Sequence, residues 1–362
     1  MACLKCYHFV EVPFATVHVF RTALVALAVF VSLQPGVRAQ QDLRFTLFER
    51  SLEQLRQESG IPGLSAVIVY GSGTWERGFG MADVERSLQA SPNTPYLVGD
   101  LTQTLAATLV LQSIDRGQFH INDRVQRWTT AIADPSVTVG QLLRHTSTGE
   151  FRYDAQRFAA LTPVVAYYAR EPFRKALAHE ILDRLAMRDS VPGHDMEQPS
   201  TADASSFDSD DLSRYRGVIQ QMAVPYRVDI RRHAARSDYP ARNISASGGL
   251  ISSASDLARF DRALEDGVLL SAAAKAAMQE RAGGSVPTGL GWFVQTYNSQ
   301  KVVWHFGNIP NAFSSLIIKI PERKLTLILL ANSDGLSAPF ALEQGDVTTS
   351  LFARLFFRTF LP

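Results

Sequence analysis

The 362-residue sequence predicts an α+β fold in which an antiparallel sheet is flanked by helices and carries a mainly helical insertion. Three observations support this prediction. Apolar residues recur at helical spacing near both 45–55 and 100–116, β-rich runs separated by turn residues lie at both ends of the chain, and helical patterns dominate the middle. We therefore expect one sheet built from about 40–98 and 245–362, with a helical part at about 99–244.

The N-terminal half contains a helix, a hairpin and a second helix in succession. Phe45, Phe48, Leu52 and Leu55 have the spacing of one helix face, and residues 64–70 form a β-rich run that ends in a glycine turn at 71–73. Residues 100–116 are apolar at helical spacing and are followed by Gly117, which is typical of a helix end.

The segment 189–211 is rich in Ser, Asp and Pro. This composition predicts a long surface loop or a partly ordered insert. It separates the helical middle from the C-terminal part of the chain.

The C-terminal part predicts a capped helix, a series of antiparallel strands and a closing helix. Ser253 to Asp256 resembles a helix start with a capping box, and 350–360 is expected to pack as a helix on the sheet. The predicted strands are 292–297, 302–304, 313–320 and 325–331.

Residues 1–39 have the pattern of a secretory signal peptide. Arg21 precedes an apolar run at 23–33, and Val37-Arg38-Ala39 offers a small-residue cleavage site. The alternative is an uncleaved membrane anchor, although eleven apolar residues are short for a membrane span. Both cysteines, Cys3 and Cys6, lie in this segment, so the mature chain would contain no thiol. We expect a secreted or periplasmic protein with no membrane attachment after cleavage.

The composition is that of a globular chain, with 46% hydrophobic and 20% charged residues. The formal net charge is +1, and removal of the leader, which carries three basic residues and one acidic residue, brings it to about −1. Such a balance gives no reason to expect nucleic acid or an acidic membrane surface as a partner. It does not predict the oligomeric state.

Seven segments occur in a characteristic order across roughly residues 60–335. They are 94–123, 142–147, 151–155, 181–187, 248–260, 305–307 and 329–333. Together they resemble segments of the class C β-lactamase and penicillin-binding-protein-like serine hydrolases, which include D-aminopeptidases and esterases, and they imply a β-lactamase/transpeptidase-like fold. In that family the first six correspond to the nucleophile helix and its turn, "LLxHTS", the YxN region, "PLGM", "GGLxSTAxDLARF", and KTG or HxG.

The family's serine and lysine are replaced by Asp100 and Gln103 in this sequence. Acyl transfer through serine needs a nearby base, which a lysine one helical turn later supplies. None of the six lysines has Ser or Thr three residues before it, and no GxSxG segment occurs, so a shifted alignment does not restore the pair.

Asp100 and Gln103 have two interpretations. They are suited to a helix start, where Asp caps the helix and Gln returns a hydrogen bond. Asp100 is otherwise itself an acid, base or nucleophile, although a helix N-terminus would lower its pKa and weaken it as a base. The nearby hydroxyls of Thr102 and Thr104 have no base among their helical neighbours.

The resemblance also assigns candidate roles to residues distant in sequence. Tyr153 matches the tyrosine that relays the nucleophile's proton, unless it is only a wall residue, and Ala155 replaces the asparagine of that motif. His305 and Gly307 are expected on an edge strand facing the cleft, where Gly307 lets a ligand approach closely. The N–H groups of Asp100 and Asn308 would form the oxyanion hole.

The Asp100 carboxylate would oppose any oxyanion formed there. Two like charges 4 Å apart repel by about 4 kcal/mol at an effective dielectric constant of about 20. Other candidates are weaker: His145 is expected to support a turn, and His179-Glu180 lacks the second histidine of HExxH because position 183 is Asp183. No metal or cofactor is predicted.

Three functions remain open. The first is a catalytically inactive pseudoenzyme whose cleft binds a small peptide or peptidoglycan fragment. The second is a hydrolase of esters or amides that uses Asp100 and a water with Tyr153 or His305. The third is a protein-interaction module that uses the loop 189–211.

Overall fold

The computed structural model describes residues 35–239 and 243–361, and side chains from residue 43 onward. The chain divides into two units, 1–49 and 50–362. The first helix, α1 (Pro35–Glu58), begins in the first unit and ends in the second, and it includes the predicted helix at 45–55. All strands described below belong to the second unit.

A seven-stranded antiparallel sheet forms the centre of the second unit. Its strand order is β3-β2-β1-β11-β10-β9-β8, so the first hairpin and the C-terminal strands share one sheet, as predicted. The strands are β1 (Gly63–Tyr70), β2 (Gly73–Asp83), β3 (Leu88–Gln89), β8 (Phe293–Tyr297), β9 (Gln300–Ile309), β10 (Phe313–Ile320) and β11 (Leu325–Ala331).

The centre of the sheet is buried on both faces. Every residue of β10 and β11 is buried, and in β1 only the last residue is partly exposed. The register places Val67 of β1 opposite Ile328 of β11, which in turn lies opposite Ile317 of β10. Continuous apolar strands therefore hold the N- and C-terminal parts together through one core.

Helices cover this sheet, and two of them begin with serine caps, of which the sequence predicted only the one at Ser253. Ser253 caps α9 (Ala254–Glu265) by accepting a hydrogen bond from the Asp256 N–H. Ser350 caps the closing helix, α11 (Leu351–Phe360), whose Phe352, Phe356 and Phe360 are buried. In the sequence, α10 (Ala272–Met278) lies between these two helices.

The middle of the second unit is mainly helical. The strands β4 (Tyr96–Leu97) and β7 (Ile251–Ser252) pair where this helical part begins and ends. The sequence did not predict a second pair, the hairpin of β5 (Tyr226–Val228) and β6 (Ala234–Arg236), which lies late in the helical part. Its helices are α2 (Thr102–Asp115), α3 (Val139–Leu143), α4 (Ala155–Phe158), α5 (Thr162–Ala169), α6 (Phe173–Leu177), α7 (Thr201–Ala204) and α8 (Ser209–Gln220).

The segment 189–211, predicted as a long surface loop or a partly ordered insert, is partly helical. It contains a short helical turn at His194–Glu197, the helix α7 and the start of α8. The buried guanidinium of Arg174 explains the order, since its nitrogens lie 2.6 Å from Asp195 Oδ2 and 3.0 Å from Asp203 Oδ1. One cation thus fixes two acidic side chains of a segment whose composition is typical of loops.

The signal-peptide prediction falls mostly on residues 1–34, which lie outside the described residues. Residues 35–39 are part of α1. Within the described part of the chain, no helix combines the length and the apolar character needed to cross a bilayer.

Candidate functional site

The candidate site lies where the start of α2 meets β9. A 3₁₀ turn at Gly99–Leu101 precedes α2, and Gly99 has a φ of +58°, which favours glycine. A Cβ atom at Gly307 of β9 would lie 1.9 Å from the Val98 carbonyl oxygen. The chain's own backbone therefore already requires glycine at position 307, and the role of Gly307 in letting a ligand approach stays a prediction.

Asp100 does not cap the helix as predicted. The N-cap position of α2 is Leu101, and no side chain accepts a hydrogen bond there. Asp100 lies one residue earlier, inside the 3₁₀ turn, and Gln103 turns to partners outside the helix. The capping-box interpretation of Asp100 and Gln103 is thus wrong, because distant side chains compete for both.

A chain of hydrogen bonds connects Asp100 and Gln103 through Tyr153. The Gln103 Nε2 group donates to the Tyr153 hydroxyl oxygen at 3.0 Å, and that hydroxyl donates to the Asp100 carboxylate. On the other side, Gln103 Oε1 lies 3.1 Å from His145 Nε2, and His145 Nδ1 accepts from the Asp154 N–H at 3.1 Å. The three residues that the sequence proposed as a catalytic group therefore meet in one network.

The Asp154 N–H fixes the direction of every bond in this network. Because His145 Nδ1 accepts, its Nε2 carries the proton and donates to Gln103 Oε1. The Gln103 amide can then only donate from its nitrogen, so the Tyr153 proton points to Asp100. Each donor in the network points towards Asp100, and the Asp100 carboxylate is the final acceptor.

The network contains no cation. Burial, together with the nearby His305, lowers the pKa of His145 to about 3, so its imidazole is neutral at pH 7. Burial and the Asp100 charge raise the pKa of Tyr153 well above its usual value. The positive field that a lysine would supply has no replacement in this network.

Aromatic side chains enclose the Tyr153 ring. Its centroid lies 4.5 Å from that of His145, 5.3 Å from that of Phe306 and 5.8 Å from that of Phe293. Glu343, which the sequence analysis missed, adds a second negative charge that raises the pKa of Tyr153. It is exposed in a short turn at Leu342–Gln344, where no sequence pattern pointed to the site. Tyr153 thus packs against buried aromatic side chains and is influenced by two carboxylates.

His305 is placed differently from the prediction. It lies in β9, which is the second strand from the sheet edge, although the pairing with β8 stops at Trp304. Its side chain is buried, its Nδ1 lies 2.7 Å from the Phe306 carbonyl oxygen, and burial lowers its pKa to about 4. At pH 7 His305 is a neutral and weak base.

Asn308 follows in β9, opposite Ser314 of β10. Its side-chain Oδ1 is buried and has no hydrogen-bond partner among the described residues. The Asn308 nitrogen would lie 3.0 Å from a Cβ atom at Gly99, so this part of β9 lies against the 3₁₀ turn of Asp100. The proposed pairing of the Asp100 and Asn308 N–H groups as an oxyanion hole stays a prediction.

The hydroxyl groups near Asp100 bond to the backbone. Thr102 Oγ1 donates to the Gly99 carbonyl and Thr104 Oγ1 to the Leu101 carbonyl, each at 2.8 Å. Ser315 Oγ donates to the Val98 carbonyl, also at 2.8 Å. The buried lysine of the described chain, Lys319, contacts Asp261 and Glu265 instead. No hydroxyl of this group is paired with a base.

His145 lies in a turn, as the sequence suggested, with a φ of +54° after α3. It also has a buried contact that the sequence could not show, because Gln103 is 42 residues earlier. Among the described residues, no three His, Cys, Asp or Glu side chains are arranged to hold a metal ion.

Comparisons with known proteins agree on one family. A family model described as Beta-lactamase matches residues 48–346. Penicillin-binding protein 4 of Amycolatopsis lactamdurans is 26% identical over 354 residues, with 85% of this chain and 87% of that protein covered.

Two solved structures show the same fold at low identity. The octameric penicillin-binding protein homologue from Pyrococcus abyssi superimposes with a TM-score of 0.69 at 19% identity, covering 87% of this chain and 77% of that chain. The class C beta lactamase from Rhodobacter sphaeroides gives a TM-score of 0.66 at 16% identity, covering 86% and 98%.

Proposed function

Because the chain belongs to the beta-lactamase family, we propose that it is a member without acyl-serine catalysis, a pseudoenzyme that keeps the cleft as a ligand-binding site. The observation that carries this proposal is the directed network from the Asp154 N–H to the Asp100 carboxylate. In place of a nucleophile and a base, it holds a neutral amide and a carboxylate that accepts a hydrogen bond from Tyr153.

A hydrolase that uses Asp100 and a water is less well supported. The base in such a mechanism should have a pKa near the working pH. The pKa of His305 is lowered to about 4, and that of Tyr153 is raised well above 10. Neither group is suited to exchange a proton with substrate near pH 7.

An interaction module that uses the segment 189–211 is also less well supported. Arg174 fixes this segment through two carboxylates, and Val191 and Met196 are buried. These side chains contribute to the core and are not available to a partner. The cleft remains the better candidate for binding.

The proposed ligand is a small peptide or a peptidoglycan fragment. Asp100, Tyr153 and Asn308 are partly exposed and would contact such a ligand, and the names of the relatives point to penicillin-binding proteins. A secreted or periplasmic location accompanies this proposal, since such a ligand occurs outside the cytoplasm and residues 1–39 have a leader pattern.

We expect no covalent adduct when the purified protein is incubated with fluorescent penicillin or a fluorophosphonate. Both reagents need an activated oxygen, and the hydroxyls beside Asp100 donate to backbone carbonyls. Intact-protein mass spectrometry is the measurement, with an active serine β-lactamase as the positive control. Stoichiometric labelling that Asp100→Ala abolishes would overturn the pseudoenzyme proposal in favour of the hydrolase.

The charge of the cleft predicts which ligands bind. Asp100 and Glu343 both act on Tyr153, so a ligand carboxylate placed there would be repelled. A peptide ending in D-Ala-D-Ala amide should bind roughly tenfold more tightly than the same peptide with a free carboxylate, as measured by calorimetry. Glu343→Gln should reduce this difference. Tighter binding of the acid would contradict the proposed role of the two carboxylates.

A further inference from the structure

The hairpin formed by β5 and β6 concentrates positive charge on the surface. Four arginines lie within eleven residues, and all four are exposed, whereas the only acidic residue between Tyr226 and Arg236 is Asp229. The arginines are Arg227, Arg231, Arg232 and Arg236. Because the whole chain has a net charge of only +1, its overall composition conceals this local excess.

The turn of the hairpin carries an apolar side chain that has almost no contact with the protein. Ile230 is 97% exposed, far more than any other large hydrophobic residue among those described. A single exposed apolar side chain is common on protein surfaces. Ile230 becomes informative because it stands among four exposed arginines.

The conformation of this turn is held by Asp229. Its Oδ1 accepts hydrogen bonds from the N–H groups of Arg231 at 2.8 Å and His233 at 2.9 Å, and its own N–H donates to the His233 carbonyl at 3.0 Å. Arg232 takes the left-handed conformation, with a φ of +67°. Ile230 is thus presented by an ordered turn.

The base of the hairpin is fixed to the rest of the second unit. The buried Tyr226 donates its backbone N–H to the Asn332 carbonyl at 2.8 Å, and its hydroxyl accepts from the Val84 N–H at 2.7 Å and donates to Glu85. Val84, in the turn that receives Tyr226, and Leu88, at the start of β3, are each 45% exposed. Further apolar surface therefore lies beside the anchored base.

We propose that this hairpin docks the protein on an anionic phospholipid bilayer, with Ile230 entering the interface between headgroups and acyl chains. Arginines near a membrane surface are attracted by anionic lipids, and an apolar side chain among them adds hydrophobic binding. A soluble polyanion would explain the arginines but not Ile230. A stable protein interface needs about 800 Å² from each partner, which a short protruding hairpin does not readily supply.

The test is sedimentation of the full chain with vesicles of phosphatidylcholine and phosphatidylglycerol in a 3:1 ratio. Vesicles of phosphatidylcholine alone, measured in parallel, give the binding that does not depend on lipid charge. Arg231→Gln with Arg232→Gln should weaken binding to the anionic vesicles about 25-fold, because each arginine near the surface contributes about fivefold. Ile230→Ser should weaken it about fivefold to tenfold.

Lys301→Gln with Lys324→Gln is the matched control, since it also removes two exposed positive charges. These lysines lie away from the hairpin, in β9 and in the turn before β11. It should weaken binding less than twofold. Circular dichroism should show all variants folded, because the substituted side chains are exposed.

Three results would overturn the proposal. The first is an absence of charge-dependent binding at low salt. The second is an equal loss in the control variant, which would indicate attraction by the net charge alone. The third is an unchanged affinity of Ile230→Ser together with equally tight binding of dextran sulfate, which would identify the hairpin as a site for a soluble polyanion.

Discussion

The double variant Asp100→Ser with Gln103→Lys should be acylated at residue 100 by a penicillin or an activated ester, whereas each single variant should not. The side chains of Asp100 and Gln103 both bond to the Tyr153 hydroxyl, so positions 100 and 103 already converge on one point. A serine and a lysine there would form a nucleophile and a base that depend on each other. Such pairs are strongly non-additive, so we expect the double variant to react at least about 10³-fold faster than either single variant.

The burial of position 103 favours the lysine as a base. Gln103 is completely buried, and desolvation at such a site lowers the pKa of an amine. A neutral amine beside a serine introduced at position 100 could accept the proton of its hydroxyl. Gln103→Lys without the serine offers the base alone, and Asp100→Ser without the lysine leaves the hydroxyl beside an amide.

His145 opposes this design in one respect. Its Nε2 proton points at Gln103 Oε1, whereas a neutral lysine amine has a single lone pair, which the serine hydroxyl would occupy. We expect the double variant to lose about 1–3 kcal/mol of stability through the unsatisfied donor. Adding Ala155→Asn restores the amide of the YxN motif, and the triple variant should therefore react faster than the double.

Intact-protein mass spectrometry after long incubation is the suitable measurement, because the adduct can form even where its hydrolysis is slow. Circular dichroism confirms the fold, and the two single variants serve as controls. A well-folded triple variant without adduct would show that positions 100 and 103 do not lie in a working acylation frame.

The strands were predictable because their signals are local. The segments 313–320 and 325–331 are apolar runs bounded by turn residues, and the observed β10 and β11 have the same bounds. The cap at Ser253 depends on Asp256, three positions away, and was found for the same reason. The hairpin of β5 and β6 was missed because its strands are three residues long and largely exposed.

The sequence predicted which residues meet at the site but not the hydrogen bonds between them. Asp100, Gln103 and Tyr153 do meet, but the hydrogen bonds between them join residues 50 or more positions apart, and these bonds displaced the predicted cap. Nothing in the sequence shows that the Val98 carbonyl faces Gly307, so the backbone's need for glycine at this position was not predicted. Glu343 lies in a turn that matches no motif, so its effect on the pKa of Tyr153 is visible only in the folded structure.

Lys319→Met should cause a larger loss of stability than any other single substitution proposed for this protein. Lys319 is buried in β10, with its Nζ 2.7 Å from Asp261 Oδ1 and 2.6 Å from Glu265 Oε1. Burial alone would lower the pKa of Lys319, but the two carboxylates outweigh it and raise the pKa above its usual value. Removing the ammonium leaves the buried Asp261 carboxylate without its partner, at a cost of about 3–5 kcal/mol.

Lys275→Met is the matched control, because Lys275 contacts the same Glu265 carboxylate at 3.4 Å but both of these side chains are partly exposed. Solvent screens this pair, so we expect a loss of no more than about 1 kcal/mol. Both free energies of unfolding can be measured by urea denaturation at pH 7. Equal losses in the two variants would contradict the buried-charge argument.

A second substitution separates the lost charge from lost packing. Lys319→Met with Asp261→Leu removes both members of the buried pair and leaves Glu265 with Lys275. Since replacement of a whole buried ion pair by apolar groups is often close to neutral, the double variant should be more stable than Lys319→Met alone. If it is instead less stable, the fold depends on the shape and polarity of these side chains, and the stranded carboxylate is not the cause of the loss.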